Sequence, residues 1–104
     1  MKRACFLLRV KPEFLEDYKR DHEAVDPELL EELSKAGIVN YSIFLRDDGL
    51  LVGYFESEDP RESWRRVDGT EANRIWQRKM KPYFQTGDTG EVLFEWLEQV
   101  FRLE

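Results

Sequence analysis

The sequence predicts an α+β domain of the ferredoxin-like, split βαβ type, in the order strand, helix, strand, strand, helix, strand. Three observations predict it. Segments that alternate apolar and polar residues, the mark of a strand with one buried face, lie near the start and in the middle of the chain, and a run rich in strand formers ends it. Two helical stretches separate them, each carrying an Asp-Pro start signal. Asp47-Asp48-Gly49 joins the two central strands as a tight antiparallel hairpin.

Arg3 to Val10 alternates around Ala4, Phe6, Leu8 and Val10 and reads as the first strand. Pro12 ends it and opens a helical stretch that runs to residue 36. Within that stretch Asp26-Pro27-Glu28 is a second start, an N-cap aspartate followed by proline at the first helical position, and Gly37 is the stop. The helix is therefore expected to break or kink near 26, with His22 in the last turn before the break. Ile38 to Arg46 alternates again, with Val39, Tyr41, Ile43 and Leu45 on one face and Asn40, Ser42 and Phe44 on the other. Leu50 to Glu56 is the return strand, and Gly53 inside it predicts a bulge or the close packing of another element. Asp59-Pro60-Arg61-Glu62 opens a two-part helix. Trp64 and Val67 form its first apolar stripe, Asp68-Gly69-Thr70 interrupts it, and Thr70 restarts it through Ile75, Trp76 and Met80 to an end near Pro82. Thr86 to Gly90 is a loop, and Val92 to Leu103 is read as the last strand.

An antiparallel sheet covered by helices on one face needs a cover for the other. Phe6, Leu8, Tyr41, Ile43 and the C-terminal aromatics are read as placing apolar groups on more than one face, which makes homodimerisation the simplest solution. The 104 residues suit a single domain, 1–104, with one core. Seven Phe, four Tyr and three Trp exclude a disordered acidic segment.

A formal charge of -6 disfavours nucleic acid, whose affinity comes from a surplus of cations. The basic cluster of Arg61, Arg65, Arg66, Arg74, Arg78, Lys79 and Lys81 is interleaved with Glu62, Asp68 and Glu71, so it reads as solvated helix surface. Cys5 is the only cysteine and reads as a small buried hydrophobe, which suits a reducing cytoplasm. No leader is expected, and no apolar stretch approaches the roughly 20 residues that span a membrane. One His and one Cys do not make a usual metal site, and the six glycines have neither phosphate-loop nor dinucleotide spacing. Any enzyme here is expected to work without cofactor or metal, by acid-base chemistry or by binding energy.

The candidate chemistry centres on Phe14, Tyr18 and His22, which share one helix face at four-residue spacing. If that face turns inward, the chain's only imidazole lies beside a phenol in a sheltered place, as proton transfer requires. The helix end, together with Asp21, Glu23 and Asp26, is expected to raise the His22 pKa slightly. Tyr18, His22, Tyr41 and Trp76 come from elements that a split βαβ fold can bring to one pocket. Sugars suit it, because their C–H faces pack on aromatic rings while their hydroxyls need oriented polar partners. Trp64 and Trp96 are assigned to the core.

Nearly the whole chain resembles the L-rhamnose mutarotase family, through Arg3-Ala4-Cys5-Phe6, Tyr18-Lys19-Arg20-Asp21-His22, Pro27-Glu28-Leu29, Asn40-Tyr41-Ser42-Ile43, Arg74-Ile75-Trp76 and Val100-Phe101-Arg102-Leu103. The resemblance implies a cytoplasmic homodimer with a dimeric α/β-barrel, interconverting the α and β anomers of a 6-deoxy aldose without a cofactor. It implies His22 as proton donor and Tyr18, Tyr41 and Trp76 as the sugar site. The chain departs from the family at Gln77, where a second tryptophan is usual, and at Asp26, where a tryptophan precedes the Pro-Glu pair. Both are secondary candidates for contact with the sugar. Two other classes fit the same fold: cofactor-free monooxygenases of the dimeric barrel type, and a non-catalytic sugar-binding module with no use for a proton donor at 22.

Overall fold

A computed structural model describes residues 1–104. In chain order its elements are β1 (Lys2–Arg9), a 3-10 turn (Pro12–Phe14), α1 (Leu15–Asp21), α2 (Pro27–Lys35), β2 (Val39–Leu45), β3 (Leu50–Ser57), α3 (Pro60–Asp68), α4 (Glu71–Met80), a second 3-10 turn (Lys81–Tyr83) and β4 (Glu95–Leu97). The strands form one sheet in the order β2-β3-β1-β4, every neighbour antiparallel. This is the ferredoxin-like arrangement expected from the element order.

The central pair, β1 and β3, is in register from Lys2 opposite Ser57 to Arg9 opposite Leu50. Because strand side chains alternate, Phe6, Leu8, Leu51 and Phe55 share the helix-covered face. Phe6 stands directly over Gly53, where an added Cβ would sit 2.1 Å from the phenyl ring. Gly53 is thus the close-packing alternative of the two the sequence left open. At the hairpin Gly49 takes φ +97°, and its carbonyl accepts from the Val10 amide at 2.8 Å. That left-handed backbone favours glycine, and the adjacent β1 terminus leaves no room for a side chain.

The helices start largely as their caps dictate. Asp59 accepts from the Glu62 amide at 3.3 Å, and Thr70 from the Asn73 amide at 3.2 Å. Asp26 occupies the N-cap position of α2, but its side chain makes no capping bond; only its backbone carbonyl receives the Leu29 and Leu30 amides. The core joins both layers, with Phe6, Leu51 and Phe55 from the sheet meeting Tyr18, Leu29, Val67, Trp76 and Met80 from the helices.

Several expectations are corrected. The last strand is three residues long, not twelve, because only Glu95–Leu97 meets the free edge of β1. Val100, Phe101 and Leu103 are strongly exposed beyond it. The β2 alternation fails at its start: a bulge between Val39 and Ser42, with Asn40 at φ +51°, turns Val39 outward. Phe6, Leu8, Tyr41 and Ile43 all face the helices. The open face carries instead Cys5, Leu7, Phe44, Val52, Tyr54 and Leu97, as the cross-strand register requires. Cys5 is accordingly half-buried on the open face and is not a core residue.

Candidate active site

Tyr18 and His22 lie one turn apart at the end of α1, and their rings stack with centroids 4.1 Å apart. The Nδ1 of His22 is 2.9 Å from the backbone carbonyl of Tyr18. A carbonyl oxygen only accepts, so Nδ1 carries the hydrogen and the neutral ring keeps its lone pair on Nε2. The far side of the imidazole meets Trp76 edge to face at 5.3 Å. Lys79, three residues further along α4, places its Nζ 5.2 Å from the Trp76 ring centroid. The end of α1 is tied down from a distant segment, since Tyr83 donates its hydroxyl to Asp21 at 2.8 Å.

Burial dominates the electrostatics. The His22 pKa is lowered, not raised: loss of water outweighs the support of the Tyr18 carbonyl and of Asp21, and Lys79 pushes the same way as burial. This corrects the expectation from the helix end and its acidic neighbours. The imidazole is half-buried and favours its neutral form. Tyr18 is pushed well above the usual phenol range by burial and by the nearby Tyr41, and Tyr41 by burial alone. Both phenols therefore stay protonated and can donate.

These side chains border a cavity of about 770 Å³ between the helices and the covered sheet face, within the size range of small-molecule sites. Of its 22 lining residues 18 are hydrophobic, and the polar exceptions are His22, Asp68, Asn73 and Gln77. Tyr18, His22, Tyr41, Trp76 and Gln77 are all brought together there, whereas Asp26 is not among the lining residues. Sequence reasoning missed part of the wall. Trp64 and Trp96 pack against the core as assigned, and they also line the cavity with Phe94 and surround Phe6, whose ring lies 5.0 Å from those of both Trp64 and Phe94. Asn73 was legible in principle, lying one turn before Trp76 on the same face of α4. No group of three or more His, Cys, Asp or Glu side chains gathers where a metal ion would fit. No helix is long and apolar enough to cross a membrane.

Fold and site together define a ferredoxin-like domain whose largely aromatic cavity presents one unpaired imidazole nitrogen and two protonated phenols. Among proteins with this architecture, the chain belongs to the L-rhamnose mutarotase family, whose model matches residues 3–103. L-rhamnose mutarotase of Oceanobacillus iheyensis is 36% identical over the full length of both chains. That of Tolumonas auensis is 40% identical over 99% of each. The crystal structure of L-rhamnose mutarotase from Formosa agariphila superposes over 100% of both chains with a TM-score of 0.84 at 23% identity, which shows the shared fold. An antibiotic biosynthesis monooxygenase superposes with a TM-score of 0.65 at 17% identity, covering 96% of this chain and 99% of its own. That likeness is one of fold alone, and the monooxygenase reading is not favoured.

Proposed function

We propose that the chain accelerates exchange between the α and β anomers of L-rhamnose or a related 6-deoxy aldose, with His22 as the proton-transfer residue. The observation that carries this is an imidazole held through Nδ1 by the Tyr18 carbonyl, with Nε2 free of any bond to the chain, in a cavity otherwise almost wholly aromatic and aliphatic. Neutral Nε2 takes the proton of the anomeric hydroxyl. The C1–O5 electron pair moves onto the ring oxygen as C1 and O1 become an aldehyde. The imidazolium so formed is the proton donor to O5, and His22 ends the opening neutral. Rotation about C1–C2 presents the other carbonyl face, and the reverse transfers close the ring as the opposite anomer. Tyr18 and Tyr41 donate to sugar oxygens, Trp76 packs on the sugar's C–H face, and Gln77 reaches its hydroxyls.

The proposal extends to a homodimer. The apolar open sheet face and the exposed Val100, Phe101 and Leu103 support it, and one solved relative in fold, with a TM-score of 0.63, is described as a dimeric ferredoxin-like protein. The cytoplasm is the compartment that suits a lone, half-buried thiol and an aldose isomerase.

Saturation-transfer proton NMR of L-rhamnose tests the activity, with L-fucose and D-glucose as comparison sugars. Wild type should accelerate exchange, and His22→Ala should lose about 100- to 10,000-fold in rate while sugar affinity changes far less. Acceleration of none of the three sugars would overturn the assignment. Unchanged exchange in His22→Ala would remove His22 from the chemistry.

A further inference from the structure

Three of the four polar side chains on the cavity wall form a connected set that does not include His22. Gln77 donates from Nε2 to the side-chain Oδ1 of Asn73 at 3.4 Å, and Asn73 donates from Nδ2 to Asp68 Oδ1 at 3.3 Å. Asn73 is buried at 7% exposure, so the middle of the track is fixed. Asp68 is exposed to solvent at the cavity rim, and three features of its setting leave it open to a ligand. It is the last residue of α3, where unpaired carbonyls disfavour a carboxylate. It borders an apolar cavity. It also has no cationic partner, although Glu62 and Glu71 on the same two helices are each paired with an arginine. Asp68's other oxygen, Oδ2, accepts no hydrogen bond from the chain. Partial burial holds the carboxyl above its usual range, and the Asn73 amide only partly offsets this. A solvent-accessible carboxylate with one oxygen fixed by Asn73 and the other free is placed to accept from a polar ligand that enters the cavity.

We infer that Asp68, positioned by Asn73 and Gln77, is a specificity-determining residue that accepts hydroxyl hydrogens of the bound sugar on the cavity wall formed by the end of α3 and by α4. This deepens the proposed function and rests on it. A carboxylate with open lone pairs suits a neutral polyol, because each sugar hydroxyl brings a donor and no counter-charge is needed. The contact exists in ground state and transition state alike, so it acts on affinity and on discrimination between sugars, not on turnover.

The test is anomer exchange measured across sugar concentration for wild type and Asp68→Asn, with L-rhamnose and a set of its monodeoxy analogues. Asparagine keeps the shape and the acceptor for Asn73, and thermal unfolding of both proteins checks that the fold is retained. KM for L-rhamnose is expected to rise about 10-fold with kcat within about threefold, at the low end of the roughly 10- to 150-fold that a hydrogen bond to a charged group contributes. At least one deoxy analogue should lose affinity in wild type but not further in Asp68→Asn. An unchanged KM, or a fall in kcat at constant KM, would overturn the inference. Wild type inactive on every sugar would instead overturn the proposed function, and that outcome is visible before any variant is measured.

Discussion

At the scale of single residues, His22 carries the most specific expectation. In the unfolded chain its imidazole titrates near the ordinary value, and burial against Trp76 lowers it in the fold. The unfolded state therefore binds the proton more readily. Stability is complete above the unfolded pKa of about 6.5 and is lost as pH falls from there towards the lower folded pKa. Exchange activity should fall in the same window, because a protonated Nε2 no longer takes the anomeric proton. Anomer exchange and thermal midpoints recorded between about pH 5 and pH 8 check both, and His22→Gln should flatten the acid limb of the stability curve. An activity that rises on acidification would reverse the assigned resting state. The Tyr18 and His22 pairing is legible from spacing alone. The direction of the pKa shift is not, because it depends on desolvation by α4, which no local pattern reports.

At the scale of elements, α3 is locked to the rest by a buried polar network. Ser63 donates its hydroxyl to the Ala36 carbonyl at 2.7 Å and lies 2.8 Å from the Ser57 hydroxyl, which in turn accepts from the Asp59 amide at 3.1 Å. One serine thus joins the C-cap of α2, the end of β3 and the first turn of α3. Ser63→Ala should cost about 1 to 3 kcal/mol, because the fully buried Ser57 hydroxyl loses its partner and the half-buried Ala36 carbonyl its side-chain donor. For a domain of this size that lowers the thermal midpoint by about 4 °C or more, measurable by calorimetry, with exchange per folded molecule retained. An unchanged midpoint would show that water replaces the hydroxyl. Helix starts are readable because Asp-Pro and Thr caps act within one turn. The length of β4 is not readable from residues 92–103, since a run of strand formers becomes a strand only where an edge supplies hydrogen-bond partners. The bulge at Asn40 is hidden for the same reason, being a property of the pairing with β3.

At the scale of the whole molecule, the sheet has one covered face and one face whose centre is apolar. Phe44 is 64% exposed and Leu97 is 42% exposed on that open side. Phe44→Glu is expected to convert the proposed homodimer to monomer in sedimentation velocity, with secondary structure unchanged by circular dichroism. A wild-type monomer at tens of micromolar would remove the dimer from the proposed function. Alternating patterns, the Asp-Asp-Gly turn and the Asp-Pro starts are local, so the order of elements and the ferredoxin-like class follow from the chain read in one dimension. Tyr18, His22 and Trp76 are legible as candidates because helical spacing and residue chemistry already limit what they can do. The faces of the sheet occupied by Phe6 and Cys5, the place of Trp64 and Trp96 on the cavity wall, the position of Asp26 off that wall and the lowered proton affinity of His22 belong to the tertiary structure. Each depends on contacts between segments far apart in sequence, and burial, which sets both the cavity wall and the proton affinity, exists only once those segments have packed.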